Sequence, residues 1–102
     1  GGVSDEVVQW SCNLAMQASL KATLACAEAF ATTDFRTDLT AFTMPTLIIH
    51  GTGDKTVPID PSARAAAHGI ANSQLVEYEG GPHGLQASHK ERLTADLLAF
   101  LR

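Results

Sequence analysis

Apolar residues recur along this chain with two different periods. Val7, Trp10 and Leu14 share one face at helical spacing, behind Ser4, a residue type that caps helix N-termini, and the early acids Asp5 and Glu6. Leu20, Leu24, Ala27 and Phe30 repeat the pattern within Ala-rich sequence that favours helix. The pattern predicts two helices, or one bent helix, ending near Ala31. Thr32-Thr33-Asp34 then caps a short helical turn running to Leu39, and Phe42-Thr43-Met44-Pro45 leads into a segment of another kind.

From Thr46 to His50 the chain is continuously apolar and rich in branched side chains, as in a strand covered on both faces. Asp60-Pro61 predicts an N-cap and a proline in the first turn of a helix that runs through Ser62, Arg64 and Ala67 and stops near Gly69. Leu75, Val76 and Tyr78 mark a second strand within Gln74 to Glu79. Ser88-His89-Lys90-Glu91 has the form of a capping box, and Leu93, Leu97, Leu98 and Leu101 predict a buried stripe on the last helix. A strand, helix and strand in this order imply a parallel pair joined by a right-handed crossover. Two strands alone leave an open edge and an uncovered face, so a further layer is expected, either the rest of a larger fold or a second copy.

Each strand runs into a loop that carries an ionisable residue. Gly51-Thr52-Gly53-Asp54-Lys55-Thr56-Val57-Pro58 follows the first, and Gly80-Gly81-Pro82-His83-Gly84 follows the second. The 29 positions from Asp54 to His83 are the length of one strand, crossover helix and strand. In a parallel pair this spacing brings both side chains to the same carboxyl edge, where open α/β sheets place their ligands. Taken singly, Asp54 is a turn residue and His83 a loop histidine; taken together, they are an acid able to orient a base.

These segments resemble the C-terminal part of an α/β-hydrolase, in which a nucleophilic Ser, an Asp or Glu and a His follow one another along the chain. Pro45 to Gly51, Asp54 to Pro58 and Gly81 to Leu85 are similar to the arylesterases and cofactor-free haloperoxidases, or perhydrolases. The run from Leu14 to Thr23, continuing from Ala29 to Arg36, is similar to the end of their helical cap. The resemblance implies an α/β fold: residues 1–31 as the end of a cap domain, and residues 32–102 as the C-terminal part of the core, strand-helix-strand-helix with two parallel strands. It implies that His83 takes and returns the proton of a serine while Asp54 fixes the imidazole tautomer. It also implies that Thr56, Val57 and Ile59 line an acyl pocket, with Trp10, Met16 and Leu20 contributing from the cap; plain core packing is the competing expectation for the cap residues.

The chain departs from the family at the nucleophile. None of its six serines sits in G-x-S-x-G; Ser4 follows Gly2 by two, but Glu6 stands where the second Gly belongs. The expected function is therefore the C-terminal part of a serine esterase or perhydrolase acting on small carboxylic esters, inactive alone and completed by a missing N-terminal half. The alternatives are a non-catalytic hydrolase-like module that self-associates and binds a partner or ligand, and a related fold whose nucleophile is an Asp.

Composition narrows the remaining classes. Of 102 residues, 45% are hydrophobic and 18% charged, an ordinary globular balance. A formal net charge of −4, with seven scattered basic residues, argues against nucleic acid or an anionic membrane as partner. No apolar run reaches the roughly 20 residues of a membrane span, and no signal peptide is expected, which suits a cytoplasmic protein. Cys12 and Cys26 in helical sequence would lie about 21 Å apart and are expected as free, buried hydrophobes. His50, His68 and His89 are expected to be structural, and their spacing forms no metal-ligand cluster, so neither metal nor cofactor is expected.

Overall fold

The computed structural model describes residues 2–102, which divide into two compact units, one up to Phe35 and one from Arg36 to Arg102.

The first unit is a pair of helices, α1 (Asp5–Ala15) and α2 (Leu20–Thr32). Both start on serine caps: Ser4 Oγ accepts from the Val7 amide at 3.4 Å, and Ser19 Oγ accepts from the Ala22 amide at 2.9 Å. The turn between them closes through Met16 and Gln17 amides donating to the Cys12 and Leu14 carbonyls. Neither helix buries a residue. Trp10, Met16 and Leu20, expected as core, are 63%, 84% and 75% exposed, and Cys12 and Cys26, expected as buried, are exposed free thiols. The reason is architectural, since an apolar helical stripe is buried only against an opposing layer, and the two helices of this unit do not supply one to each other.

The second unit opens with a 3₁₀ turn, Arg36–Ala41, and enters β1 (Thr46–Gly51). A loop then leads to a π-helical turn, Asp60–Arg64, continuous with α3 (Ala65–Gly69). The chain returns as β2 (Ser73–Tyr78) and finishes with a single turn, α4 (Leu85–Ser88), and a longer helix, α5 (Lys90–Leu101). The strands pair in parallel, from Thr46 opposite Ser73 to Gly51 opposite Tyr78. Among the described residues this is a two-stranded α/β unit.

Its core is small: Ile59, Ala63, Ile70, Tyr78 and Leu85 are buried. Leu39 of the 3₁₀ turn packs so closely on Gly69 that a Cβ there would meet its side chain at 2.6 Å. Arg64 clasps α3 to β2, donating to Asp60 at 2.6 Å and through Nε and Nη2 to Glu77 at 2.6 and 3.1 Å. These are partly exposed pairs and contribute modestly to stability.

Four local expectations are corrected here. Thr46 to His50 is half-buried rather than covered on both faces, because two strands recruit only part of a helical layer. Asp60 is not an N-cap; it lies inside the helical turn and pairs with Arg64. The Ser88–Glu91 capping box does not form, because Ser88 ends α4, and its hydroxyl engages the Gly84 carbonyl and His89 Nδ1 instead. The leucine stripe of α5 is not buried: Leu97, Leu98 and Leu101 are 43%, 49% and 76% exposed, having no apolar surface of this unit to cover them.

Candidate active site

Parallel pairing puts Gly51 and Tyr78, the last residues of β1 and β2, side by side, so the loops that follow leave from the same edge. Hydrogen bonds then lace the two loops together. The Thr52 amide donates to the Tyr78 carbonyl at 2.9 Å, the Gly53 amide to the Gly81 carbonyl at 3.0 Å, and the Gly80 amide to Thr52 Oγ1 at 2.7 Å. Such an approach requires glycine. A Cβ on Gly51 would fall inside the Gly81 carbonyl, one on Gly53 would lie 2.7 Å from the Gly80 oxygen, and Gly80 itself turns at φ +67°.

This lacing delivers Asp54 and His83 to one point. His83 Nδ1 lies 2.7 Å from Asp54 Oδ2. A carboxylate only accepts, so Nδ1 is the donor, and in the neutral ring Nε2 of His83 is the nitrogen with the lone pair. The Asp54 side chain is 3% exposed and that of His83 58%, so a buried acid holds a solvent-facing base. The other carboxylate oxygen, Oδ1, accepts from the amides of Thr56 at 2.9 Å and Val57 at 2.8 Å, an Asx turn that sets the carboxylate plane. Burial alone would raise the Asp54 carboxyl, but the Val57 amide, the His83 imidazole and the Thr56 amide outweigh it and hold the pKa below the usual carboxylate value.

The spacing of the sequence thus located the pair, and the structure adds a third member. His50, read from sequence as structural, places Nε2 2.9 Å from the Val57 carbonyl and 3.2 Å from Asp54 Oδ2. Its position four residues before Asp54 was visible, but only the turn at Gly51-Thr52-Gly53 folds it back onto the acid.

The remaining candidate residues are distributed unevenly. Thr56 and Val57 border the acid through their amides, Ile59 is buried in the core at 8% exposure, and Trp10 lies on α1 in the other unit. Every serine hydroxyl is engaged locally: Ser4 and Ser19 as helix caps, Ser11 with the Val7 carbonyl, Ser62 with Pro58, Ser73 with Ala67 and Ile70, and Ser88 with Gly84 and His89. Among the described residues, no group of three or more His, Cys, Asp or Glu side chains is arranged to hold a metal ion.

Sequence reasoning also missed the support beneath the site. Tyr78 is completely buried, its hydroxyl donates to Asp96 Oδ2 at 2.5 Å, and the Arg92 guanidinium lies 3.8 Å from the ring centroid. Burial and the Asp96 carboxylate push the Tyr78 phenol up to about 12, against a smaller opposing effect of Arg92. This clamp fixes α5 to the end of β2, where the Tyr78 carbonyl accepts from both Thr52 and Gly81. A nearby concavity of about 370 Å³, lined by Ala87 to Arg92, includes neither Asp54 nor His83.

A fold with an acid and a base on adjacent parallel-strand loops defines a class, and comparison with known proteins agrees. The model of the alpha/beta hydrolase fold family matches residues 10–90, and the chain belongs to that family. Within it, the chain is 42% identical over 90 residues to the non-heme chloroperoxidase of Kitasatospora aureofaciens, covering 86% of this chain and 33% of the relative. It is 40% identical over 74 residues to the bifunctional esterase/perhydrolase of Acinetobacter calcoaceticus, covering 72% of this chain and 27% of that protein. The crystal structure of the bromoperoxidase from Bacillus anthracis superposes with a TM-score of 0.93 at 45% identity, over 97% of this chain and 36% of that one. The chain therefore spans about a third of the length of the relatives it matches. No helix among the described residues is long and apolar enough to cross a membrane.

Proposed function

We propose that Asp54 and His83 are the acid and base of a hydrolytic triad acting on small carboxylic esters, and that the nucleophilic serine comes from outside these 102 residues. The observation that carries this reading is the 2.7 Å contact between Asp54 Oδ2 and His83 Nδ1. In the first step His83 Nε2 takes the serine proton as the hydroxyl oxygen attacks the acyl carbon. The imidazolium then returns that proton to the departing alkoxide as the ester C–O bond breaks. Water, or hydrogen peroxide acting as the second nucleophile, releases the acyl group as a carboxylic acid or a peracid. A peracid able to oxidise halide accounts for the names of the chloroperoxidase and bromoperoxidase relatives without a metal step. Thr56, Val57 and Ile59 are the proposed acyl-pocket residues.

The test is a fusion of this chain behind the N-terminal segment of the Bacillus anthracis bromoperoxidase. The fusion is expected to hydrolyse p-nitrophenyl acetate and to be labelled on serine by a fluorophosphonate, while the chain alone does neither. Labelling of the chain alone, or a fusion indifferent to His83→Ala, would overturn the reading.

A second reading has its own support. Trp10, Leu24 and Phe30 on the helical pair and Leu97, Leu98 and Leu101 on α5 are exposed, and apolar surface of this extent calls for a cover. A self-associating, non-catalytic module satisfies that need without a serine. Size-exclusion chromatography separates the two: a discrete oligomer of the chain alone favours the module, and a soluble monomer only after fusion favours the triad.

A further inference from the structure

We infer that His50 is a positioning residue for the acid, holding the Asp54 carboxylate in the plane that His83 needs. The inference rests on the acid–base reading of Asp54 and His83 and adds a second imidazole to it. Both groups facing His50 Nε2, the Val57 carbonyl at 2.9 Å and Asp54 Oδ2 at 3.2 Å, are acceptors. The hydrogen bond to the Val57 carbonyl makes Nε2 the donor, and the Asp54 oxygen lies beside it at ion-pair distance.

Two carboxylate oxygens offer about four lone-pair sites. At Asp54 they accept from three N–H groups, the Thr56 and Val57 amides on Oδ1 and the His83 ring on Oδ2, while His50 Nε2 lies 3.2 Å from Oδ2. The Val57 residue is fastened at both ends, its amide to Asp54 Oδ1 and its carbonyl to His50. Its amide, in turn, orients the carboxylate. Removing the His50 donor would release the Val57 carbonyl and loosen the amide that holds Oδ1, so that the carboxylate could rotate away from His83. The side chain of His50 is 15% exposed, so water is poorly placed to substitute. The distances also assign rank: His83 makes the short contact, and His50 steadies the acceptor without taking it over.

The substitutions that separate positioning from bulk are His50→Gln, His50→Asn and His50→Leu in the fusion. A Gln amide reaches the place of Nε2, an Asn amide stops one atom short, and Leu has no donor. His50→Leu and His50→Asn are expected to lower kcat about tenfold or more with KM within about twofold, because a misdirected base is a loss of orientation rather than of binding. His50→Gln is expected to stay within about threefold of the parent. In nuclear magnetic resonance of the same fusion, the downfield His83 Nδ1 proton persists in His50→Gln and is lost in the other two. Should His50→Leu fail to fold, the comparison of Asn with Gln decides. Equal behaviour of Asn and Gln, or an unmoved Nδ1 resonance in Asn and Leu, would overturn the inference. Asp54→Asn serves as the control: if it abolishes turnover while His50→Asn does not, only the role of His50 falls, and if Asp54→Asn is harmless, the acid–base reading itself falls.

Discussion

Gly51 and Tyr78 stand opposite each other as the last residues of the two parallel strands, and the chain on either side is drawn together there by the Thr52 amide on the Tyr78 carbonyl. Three residues beyond Gly51 lies Asp54, and five beyond Tyr78 lies His83. The strand register therefore sets the distance between Asp54 and His83, and the contacts at the glycines keep it short. Most consequences that can be measured concern this junction.

Asp54→Asn in the fusion is expected to keep the fold and lower turnover on the order of 10⁴-fold, because an amide donor facing Nδ1 favours the wrong imidazole tautomer. Steady-state kinetics with circular dichroism as the folding control checks it. A loss below tenfold would remove Asp54 from the proposed triad.

Gly51→Ala should be disruptive and Gly84→Ala nearly silent. The new methyl at position 51 collides with the Gly81 and Pro82 backbone, which cannot rotate aside, whereas position 84 has nothing within 4 Å and no positive φ. The expected cost is about 1–3 kcal/mol or more at Gly51 and within about 0.5 kcal/mol at Gly84. Urea denaturation of the two variants, read at constant slope, makes the comparison.

Acid should weaken the fold through Asp54. Its folded-state pKa lies below the ordinary value, so its ionised form contributes stability that is present above about pH 4 and is lost as pH falls through the depressed value. Replacement by Asn removes the group that titrates. The melting temperature of Asp54→Asn is therefore expected to fall less steeply than that of the parent between pH 5 and the acid limit, and parallel slopes would contradict the assignment.

Tyr78 makes the opposite prediction at high pH. Its phenol is held up to about 12 by burial and by Asp96, so the stability it confers is present below about pH 10, the ordinary tyrosine value, and is lost as pH rises through about 12. Tyr78→Phe keeps the ring under Arg92 but loses the bond to Asp96, at an expected cost of about 1.5–3 kcal/mol near neutrality. It should also flatten the alkaline limb of the stability profile, measured by denaturation from pH 8 to 12.

Much of this architecture was legible before any coordinates. The Ser4 cap, the branched run Thr46 to His50, the alternation of Leu75, Val76 and Tyr78, and the 29-residue interval between Asp54 and His83 are local patterns, and local patterns specify local elements. The family followed from the same segments. What stayed hidden depended on which atoms meet across space. Ser88-His89-Lys90-Glu91 satisfies a capping motif in one dimension, yet the hydroxyl found a nearer partner once α4 formed. The stripes of α1 and α5 announce a buried face, but a period cannot say whether the chain itself supplies the opposing layer. His50 passed as an ordinary strand end and Tyr78 as an ordinary strand residue. Their roles arise only when a glycine turn folds Val57 back over His50, and when α5 swings Arg92 and Asp96 onto the Tyr78 ring. Residue identity and spacing by themselves determined the elements, their order and the two ionisable groups at the sheet edge. The tertiary structure alone decided the three-donor cradle around Asp54, because hydrogen-bond partners are chosen by distance and direction, and those are set by the packed chain.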